Sequence, residues 1–220
     1  MNSTFEALGR IGLIPVITIE RVEHAAPLAR ALMDAGLGCA EITFRTAAAA
    51  EAISSIAREV PDMLTGAGTV LTIQQAEQAV HAGARYIVSP GFDAAVVDWC
   101  LTHDVPVLPG VVTPTEINMA LAKGLTVLKF FPSEEVGGMR MLKVLYGPYP
   151  QVRFVPTGGI NAAKLPEYLA LPNVLACGGS WMATATMIAE GQFSEITRVA
   201  AEARSLVVRA HRAREEQSDG

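Results

Sequence analysis

Eight short apolar segments, each followed by a stretch with helical spacing, restrict the fold of this chain more than any other feature. The segments are rich in branched apolar residues, as buried strands are. They read LIPVITI (13–19), CAEITF (39–44), LTGAGT (64–69), RYIVSP (85–90), VPVLPG (105–110), LTVLKFF (125–131), RFVPTGG (153–159) and NVLACGGS (173–180). Two of the intervening stretches end at Gly36 and Gly83, and glycine is typical of a helix end. The alternation predicts an α/β protein with parallel strands.

Eight such units with no linker between them favour a single domain folded as a closed (β/α)8 TIM barrel. An open, doubly wound sheet is the alternative. The segment FEALGRIG before the first strand is expected to form a short helix over the bottom of the barrel. We assign residues 1–210 to the barrel and residues 211–220, which are strongly polar, to a frayed tail.

Composition and charge narrow the choice of partner. Half of the residues are hydrophobic, only 18% are charged and the mean hydropathy is +0.32, so most of the chain must be packed. The net charge is -5 and the folded region contains no basic cluster, which argues against a nucleic acid or an anionic membrane surface as partner. No run approaches the roughly 18–20 apolar residues of a membrane span. We therefore expect a small-molecule substrate.

The cysteines and histidines give no sign of a metal site. Three cysteines without CxxC spacing suggest neither disulfides nor zinc, and Cys39 and Cys177 lie in predicted strands as small core residues. The four histidines lack HxH or HExxH spacing. A protein without metal or other cofactor, in the reducing cytoplasm, is the simplest interpretation.

Lys129 is the one charged residue in the apolar run VLKFFP. Alternate residues of a strand face opposite sides, so Leu128 and Phe130 are predicted to face the helices, while Val127, Lys129 and Phe131 face the barrel interior. A lysine at a strand end that extends its ammonium group into water is the plain alternative.

The same rule applied to EITFR places Glu41, Thr43 and Arg45 on the interior side. Catalytic groups of barrel enzymes gather where the strands end, so Glu41 and Arg45 should meet Lys129 at one mouth of the barrel. A purely structural network of ion pairs among these three residues is the competing interpretation.

Glycine pairs follow the last two strands, in TGGI (157–160) and GGS (178–180). Glycine lets backbone N–H groups approach an anion closely, and this part of a barrel often binds phosphate. One such pair is explained equally well by a turn. Two pairs after consecutive strands indicate a phosphate site beside the three charged residues.

This set of groups suggests a reaction. An amine held among apolar neighbours and near another cation can be uncharged at neutral pH, and a neutral amine attacks a ketone. The resulting Schiff base stabilises the carbanion left when an adjacent carbon–carbon bond breaks. A carboxylate such as Glu41 can carry the proton, and an arginine fork such as that of Arg45 suits a substrate carboxylate. Together with a phosphate site, these groups indicate aldol cleavage of a phosphorylated 2-keto acid.

Seven strings, in order along nearly the whole chain, resemble the motifs of a known family, the 2-dehydro-3-deoxy-phosphogluconate (KDPG) aldolase and 4-hydroxy-2-oxoglutarate aldolase family. They are EITFRT, GAGTV, SPGF, LPGVVTPTE, LKFFPSE, PTGGI and GGSWM. The resemblance implies a class I aldolase, a lyase of the Entner–Doudoroff pathway in carbohydrate metabolism. Such an enzyme is a cytoplasmic homotrimeric barrel that cleaves 2-keto-3-deoxy-6-phosphogluconate to pyruvate and glyceraldehyde 3-phosphate without metal.

The resemblance also implies roles for individual residues. Lys129 matches the Schiff-base lysine and Glu41 the acid/base glutamate. The matches to the substrate-binding residues are Arg45 and Thr69 at the pyruvate carboxylate, Pro90 and Phe131 along the pocket, and Thr157, Gly158, Gly159, Gly179 and Ser180 at the phosphate end.

Several alternatives stay open on the sequence. The substrate can instead be 4-hydroxy-2-oxoglutarate, which gives pyruvate and glyoxylate, or the galactonate-derived epimer. An acid/base isomerase or synthase and a non-catalytic sugar-phosphate sensor would share the same scaffold. The acidic residues of EEVGG (134–138) are interpreted as a solvated loop without a role in the site.

Overall fold

The computed structural model describes residues 2–218 and has the predicted α/β class. The described residues form nine strands: β1 (Leu13–Ile17), β2 (Cys39–Thr43), β3 (Leu64–Gly68), β4 (Ile87–Val88), β5 (Val107–Leu108), β6 (Gly110–Val111), β7 (Val127–Phe130), β8 (Arg153–Pro156) and β9 (Cys177–Gly179). The helices are α1 (Ser3–Ile11), α2 (Ala25–Asp34), α3 (Ala49–Glu59), α4 (Ile73–His81), α5 (Ala94–Thr102), α6 (Pro114–Ala122), α7 (Gly138–Tyr146), α8 (Leu165–Leu169), α9 (Ala185–Ala189) and α10 (Phe193–Ser218). Two 3-10 turns occupy Val22–His24 and Glu134–Val136. All eight predicted strand segments contain strand residues.

All paired strands run parallel, as expected when a helix follows each strand. One sheet has the order β5-β4-β3-β2-β1-β9 and curls into half of a barrel, and a second has the order β6-β7-β8. The predicted segment VPVLPG forms both β5 and β6, because Pro109 between them has no N–H to donate to a ladder. The parallel α/β class is thus confirmed. The hydrogen-bonded ladders form two separate sheets and do not join the strands into a closed ring of eight.

Two apolar layers lie on the two faces of the strands. Ile42, Leu128 and Phe130 belong to the outer layer, which packs against the helices. Val127 belongs to a smaller inner layer, which the strands enclose. The predicted alternation along β2 and β7 is therefore confirmed. Burying one large side chain in either layer stabilises the fold by about 1.5–3 kcal/mol.

Helix α1 closes one end of the inner layer. The Asn2 side chain accepts a hydrogen bond from the Thr4 amide at 2.8 Å and so begins the helix, and Gly12, with φ of 74°, ends it. Phe5 and Leu8 of this helix are buried in the inner layer. The short N-terminal helix predicted from FEALGRIG is confirmed. The polar side chains that face the interior lie towards the end of the strands opposite to α1.

Helix α10 continues through Ser218, into the segment that the sequence assigned to a frayed tail. The Arg214 guanidinium donates to the carbonyl oxygens of Pro172, at 3.1 Å, and Val174, at 3.3 Å. These bonds tie the last turns of the helix to the body of the protein. Residues 219 and 220 lie outside the described part, and the division at residue 210 stays a prediction.

The prediction that Cys39 and Cys177 are small core residues in strands is confirmed. Cys39, Cys100 and Cys177 are buried and form no disulfide. Burial raises the pKa of all three thiols, that of Cys100 to about 11, so they are protonated and unreactive at neutral pH. Within residues 2–218, no helix combines the length and the apolar character that crossing a bilayer requires.

Candidate active site

A buried ion pair lies at the centre of the site. Lys129 of β7 and Glu41 of β2 both face the interior, and Lys129 Nζ donates to Glu41 Oε1 at 3.0 Å. Their side chains are only 6% and 4% exposed. Gly68 of β3 makes room for the carboxylate, because a Cβ atom there would lie 2.1 Å from Glu41 Oε1. Each charge is thus compensated by the other in place of water.

The pair borders an open cleft. Lys129 Nζ lies 5.3 Å from the centroid of the Phe131 ring, and Phe131 lines the cleft. On the other side, Val16 pairs in register with Glu41 and also lines the cleft. Phe131 and Val16 therefore lie between the ion pair and the space of the cleft.

Arg45, just after β2, lies in the wall of the same cleft. Its Nε donates to Thr69 Oγ1 at 3.2 Å, and within residues 2–218 it makes no ion pair, so the proposed three-residue network reduces to Lys129 and Glu41. The two terminal nitrogens of the guanidinium form a fork that suits a carboxylate.

Thr69 has a strained backbone, with φ of 57°. This conformation is rare for a β-branched residue and costs on the order of 1–3 kcal/mol. The strained backbone orients the hydroxyl group that holds Arg45 Nε. Such strain is found where the surrounding structure uses the side chain for a specific contact.

The Thr157–Gly158–Gly159 turn after β8 presents free amides. The carbonyl oxygens of Thr157 and Gly158 accept hydrogen bonds from the amides of Ser133, at 2.8 Å, and Glu134, at 3.2 Å. In a trans peptide the N–H points away from the C=O, so the amides of Gly158 and Gly159 point away from Ser133 and Glu134. Within the described residues neither of these two amides donates a hydrogen bond of normal geometry. Both glycines have positive φ, 103° and 74°, which other residues rarely adopt.

The second glycine segment faces the first. Gly178 of β9 bridges to Thr157, and a Cβ at Gly178 would lie 2.3 Å from Thr157 Oγ1. The amide of Ser180 donates no hydrogen bond to any part of the described chain, and its residue lines the cleft together with Gly179. Several unpaired donors therefore surround one space, as an anion site requires.

The cleft has a volume of about 390 Å³. Its lining includes seven of the eleven residues predicted from the sequence, which are Arg45, Phe131, Thr157, Gly158, Gly159, Gly179 and Ser180. Lys129 and Glu41 lie behind the wall of the cleft. Thr69 does not line the cleft itself but accepts a hydrogen bond from Arg45, which does.

Pro90 does not line the cleft. Its carbonyl oxygen packs against Gly110, where a Cβ would approach to 2.1 Å, and Gly110 pairs in register with Lys129. Pro90 therefore lies one strand away from the lysine.

Sequence reasoning missed several polar residues. Thr18 lines the cleft, and its hydroxyl lies 2.9 Å from that of Thr43. Glu134 is not part of a solvated loop: its side chain is 24% exposed and bonds to Lys164 and Tyr168. No local sequence pattern indicates the contacts of Glu134, because its partners follow it by 30 and 34 positions in the chain.

Among residues 2–218, no group of three or more His, Cys, Asp or Glu side chains could hold a metal ion.

Comparison with known proteins gives consistent matches. The sequence matches the aldolase family described as KDPG and KHG aldolase over residues 6–199. It is 55% identical over 207 residues to the 2-dehydro-3-deoxy-phosphogluconate aldolase of Treponema pallidum, covering 94% of this chain and 99% of the relative. It is 42% identical over 191 residues to the KHG/KDPG aldolase of Escherichia coli K12, covering 87% and 90% of the two chains.

Among solved structures, the chain resembles KDPG aldolase from Legionella pneumophila with pyruvate captured at low pH as a covalent carbinolamine intermediate. The TM-score is 0.86 at 41% identity, covering 90% of this chain and 95% of the other.

Proposed function

The chain belongs to the KDPG and KHG aldolase family, and we propose that it cleaves 2-keto-3-deoxy-6-phosphogluconate to pyruvate and glyceraldehyde 3-phosphate through a Schiff base on Lys129. As a member of this family it is a lyase that acts on a carbon–carbon bond. The observation that carries the residue assignment is the buried contact of 3.0 Å between Lys129 Nζ and Glu41 Oε1 beside the cleft.

Lys129 acts as the nucleophile in this proposal. The amine adds to the keto carbon to give a carbinolamine, and loss of water gives the Schiff base. The contact with Glu41 supports this role, because the carboxylate can accept the proton that the ammonium group must lose before it attacks. The named intermediate in the Legionella pneumophila relative is the carbinolamine of pyruvate, the same kind of adduct that this step would form with the substrate.

Glu41 acts as the acid and base. It removes the proton of the substrate hydroxyl, directly or through water, while the bond between the hydroxyl-bearing carbon and its neighbour breaks. The aldehyde leaves, and the electron pair of that bond passes into the Schiff base as an enamine. Proton return to the enamine carbon and hydrolysis then release pyruvate and restore the free amine. The burial of Glu41 favours proton exchange with the substrate over exchange with solvent.

Arg45 and Thr69 orient the substrate. We assign the carboxylate next to the keto group to the Arg45 fork, which Thr69 holds through Nε. The distal phosphate then lies against the amides of Gly158, Gly159 and Ser180, at the other side of the cleft. Phe131 and Pro90 remain candidates for contacts along the substrate between these ends.

A second substrate, 4-hydroxy-2-oxoglutarate, is favoured by the Escherichia coli relative, whose name includes both activities. Its distal carboxylate is an anion that the same amides can bind. The galactonate-derived epimer is the remaining alternative substrate, whereas the family assignment argues against the non-catalytic sensor. A lactate dehydrogenase-coupled assay with each of the three purified keto acids compares the rates at which they release pyruvate.

Borohydride trapping tests the mechanism. Pyruvate and borohydride together should fix a pyruvyl adduct on Lys129, detected by peptide mass spectrometry. An unlabelled Lys129 in protein that releases pyruvate would assign the reaction to an acid/base mechanism without a covalent lysine.

We propose in addition that the two sheets complete a closed (β/α)8 ring, in which β5 and β6 are one strand interrupted at Pro109. Isolated parallel bridges between Thr157 and Gly178 and between Phe154 and Val174 support closure between β8 and β9. A crystal structure of the protein tests this arrangement.

Assembly as a homotrimer and a cytoplasmic location are proposals as well. The trimer follows from the family resemblance, and sedimentation equilibrium tests it. The three unpaired thiols suit a reducing compartment, and cell fractionation tests the location.

A further inference from the structure

A polar cluster lies behind the glycine turn, on the side away from the cleft. Glu134 accepts hydrogen bonds from Lys164 Nζ through Oε2 and from the Tyr168 hydroxyl through Oε1. The Tyr168 hydroxyl also lies 3.0 Å from Ser133 Oγ. Ser133 and Tyr168 are fully buried. We refer to Glu134, Lys164 and Tyr168 together as the brace.

The brace holds the glycine turn from both ends. The backbone amide of Glu134 donates to the Gly158 carbonyl. The side chain of Glu134 bonds to Lys164, just before α8, and to Tyr168, within α8, and α8 is the helix that follows the turn. The stem of Glu134 packs directly on Gly159, where a Cβ atom would lie 2.6 Å from Glu134 Cγ. A shift of the Glu134 side chain would therefore change both peptide planes of the turn.

The surrounding sequence is adapted to this cluster. Gly138, with φ of 50°, leaves the space that the cluster fills: a Cβ there would lie 2.6 Å from the Tyr168 hydroxyl and 2.9 Å from Glu134 Oε1. The hydrogen bonds from Lys164 and then from Tyr168 hold the pKa of Glu134 below its usual value, so the carboxylate is charged at neutral pH. The hydrogen bonds of the brace are then charge-assisted, which makes them stronger than neutral ones.

We propose that Glu134, Lys164 and Tyr168 are positioning residues that hold the Gly158 and Gly159 amides in the orientation that binds the phosphate end of the substrate. This inference rests on the proposed function and deepens it. Within the described residues the brace makes no hydrogen bond or ion pair with Lys129 or Glu41. Its loss should weaken binding of the phosphate end and leave the chemistry at the pyruvate end intact.

A different role for Lys164 makes the opposite prediction. If its ammonium group itself bound the phosphate, Glu134 would compete for that group. Neutralising Glu134 would then strengthen substrate binding, whereas removing Lys164 would weaken it. The brace requires both changes to weaken binding, because either one breaks the same contact.

The test compares Glu134→Gln, Lys164→Met and Tyr168→Phe with wild type, and Glu135→Gln serves as the matched control because the neighbouring Glu135 is exposed. Steady-state cleavage of the phosphorylated keto acid gives KM and kcat, and competition by inorganic phosphate gives its inhibition constant. Deuterium exchange into the pyruvate methyl group, followed by NMR, reports the Schiff base and enamine without a phosphate.

We expect KM and the phosphate inhibition constant to rise roughly tenfold in Glu134→Gln and Lys164→Met, the loss typical of one hydrogen bond to a charged group. A smaller rise is expected in Tyr168→Phe. The pyruvate exchange rate, kcat and all constants of Glu135→Gln should stay within about twofold of wild type.

Three results would overturn the brace: unchanged KM in both charge variants, a lower KM in Glu134→Gln, or equal losses of cleavage and pyruvate exchange. Failure of the proposed function is a separate outcome, since wild-type protein itself would then show neither cleavage nor exchange.

Discussion

Lys129 Nζ and Glu41 Oε1 lie 3.0 Å apart although the two residues are separated by 88 positions in the chain. Strands β7 and β2 bring them together because both side chains point into the interior at the end of the strands opposite to α1. This contact, with the lysine side chain only 6% exposed, shows that Lys129 does not extend into water.

Replacing Lys129 with alanine should abolish both turnover and the borohydride-trapped adduct, because no other described side chain supplies an amine beside Glu41. Among residues 2–218 Glu41 has no other ion pair, and breaking a buried pair destabilises by about 3–5 kcal/mol. The double variant Lys129→Met/Glu41→Gln removes both charges and should be folded by circular dichroism yet inactive. Lys143→Ala, at an exposed position, should keep wild-type activity. Residual adduct in the double variant would assign the chemistry to another lysine.

Glu41→Gln should lower kcat by about 10²- to 10⁴-fold, the range typical of a general acid or base. The amide keeps the shape of the side chain, so binding of the keto acid should remain measurable by calorimetry. Proton exchange at the pyruvate methyl group should slow in parallel with cleavage. An unimpaired cleavage rate in this variant would remove Glu41 from its proposed role.

Thr69→Gly should separate stability from activity. Glycine adopts positive φ freely, so the free energy of unfolding should not fall, while loss of the hydroxyl group releases Arg45 Nε and should raise KM about tenfold. Asp104→Gly is the control, since Asp104 has φ of 55° in the loop after α5. It should match wild type in kinetics. Urea unfolding and the coupled assay measure the two effects, and an unchanged KM in Thr69→Gly would separate Thr69 from substrate orientation.

Gly66→Ala tests the packing of the inner layer. A Cβ at Gly66 would lie 2.3 Å from the ring of Tyr86, which is fully buried and donates to the Ala40 carbonyl. We expect a loss of about 1–3 kcal/mol in the free energy of unfolding, typical of overpacking. Gly91→Ala has nothing within 4 Å of the added atom and should be neutral or slightly stabilising. Equal stability of both variants in urea titration would contradict the close packing of Tyr86 on β3.

The Glu134 carboxylate should make stability depend on acid pH. Hydrogen bonds from Lys164 and Tyr168 lower its pKa below the ordinary 4.5, so its contribution to stability is complete above that pH and is lost as the pH falls through the lowered value. The difference in urea midpoint between wild type and Glu134→Gln should therefore be largest at neutral pH and shrink in acid. Glu135→Gln should match wild type throughout. A difference that grows on acidification has the wrong sign for this mechanism.

The amino-acid sequence by itself determined the parallel α/β class, the short N-terminal helix, the inward side of β2 and β7, and seven of the residues that line the cleft. These follow from local rules: the side-chain period of a strand, the caps of a helix and the freedom of glycine are set by near neighbours in the chain. Lys129, Glu41, Gly158 and Gly159 could be identified on that basis, with the motif resemblance adding their roles.

Only the tertiary structure decided which distant groups touch. Strand register decides that Glu41 pairs with Lys129 and not with Arg45, that Thr69 accepts from Arg45, and that Pro90 lies away from the cleft. The packing of α8 against the turn after β7 decides the partners of Glu134. The sequence led to a solvated loop for Glu134 because an acidic residue near glycines carries no local sign of partners 30 positions away. Such contacts arise only when the chain has closed on itself, since they depend on three-dimensional distance and not on chain separation.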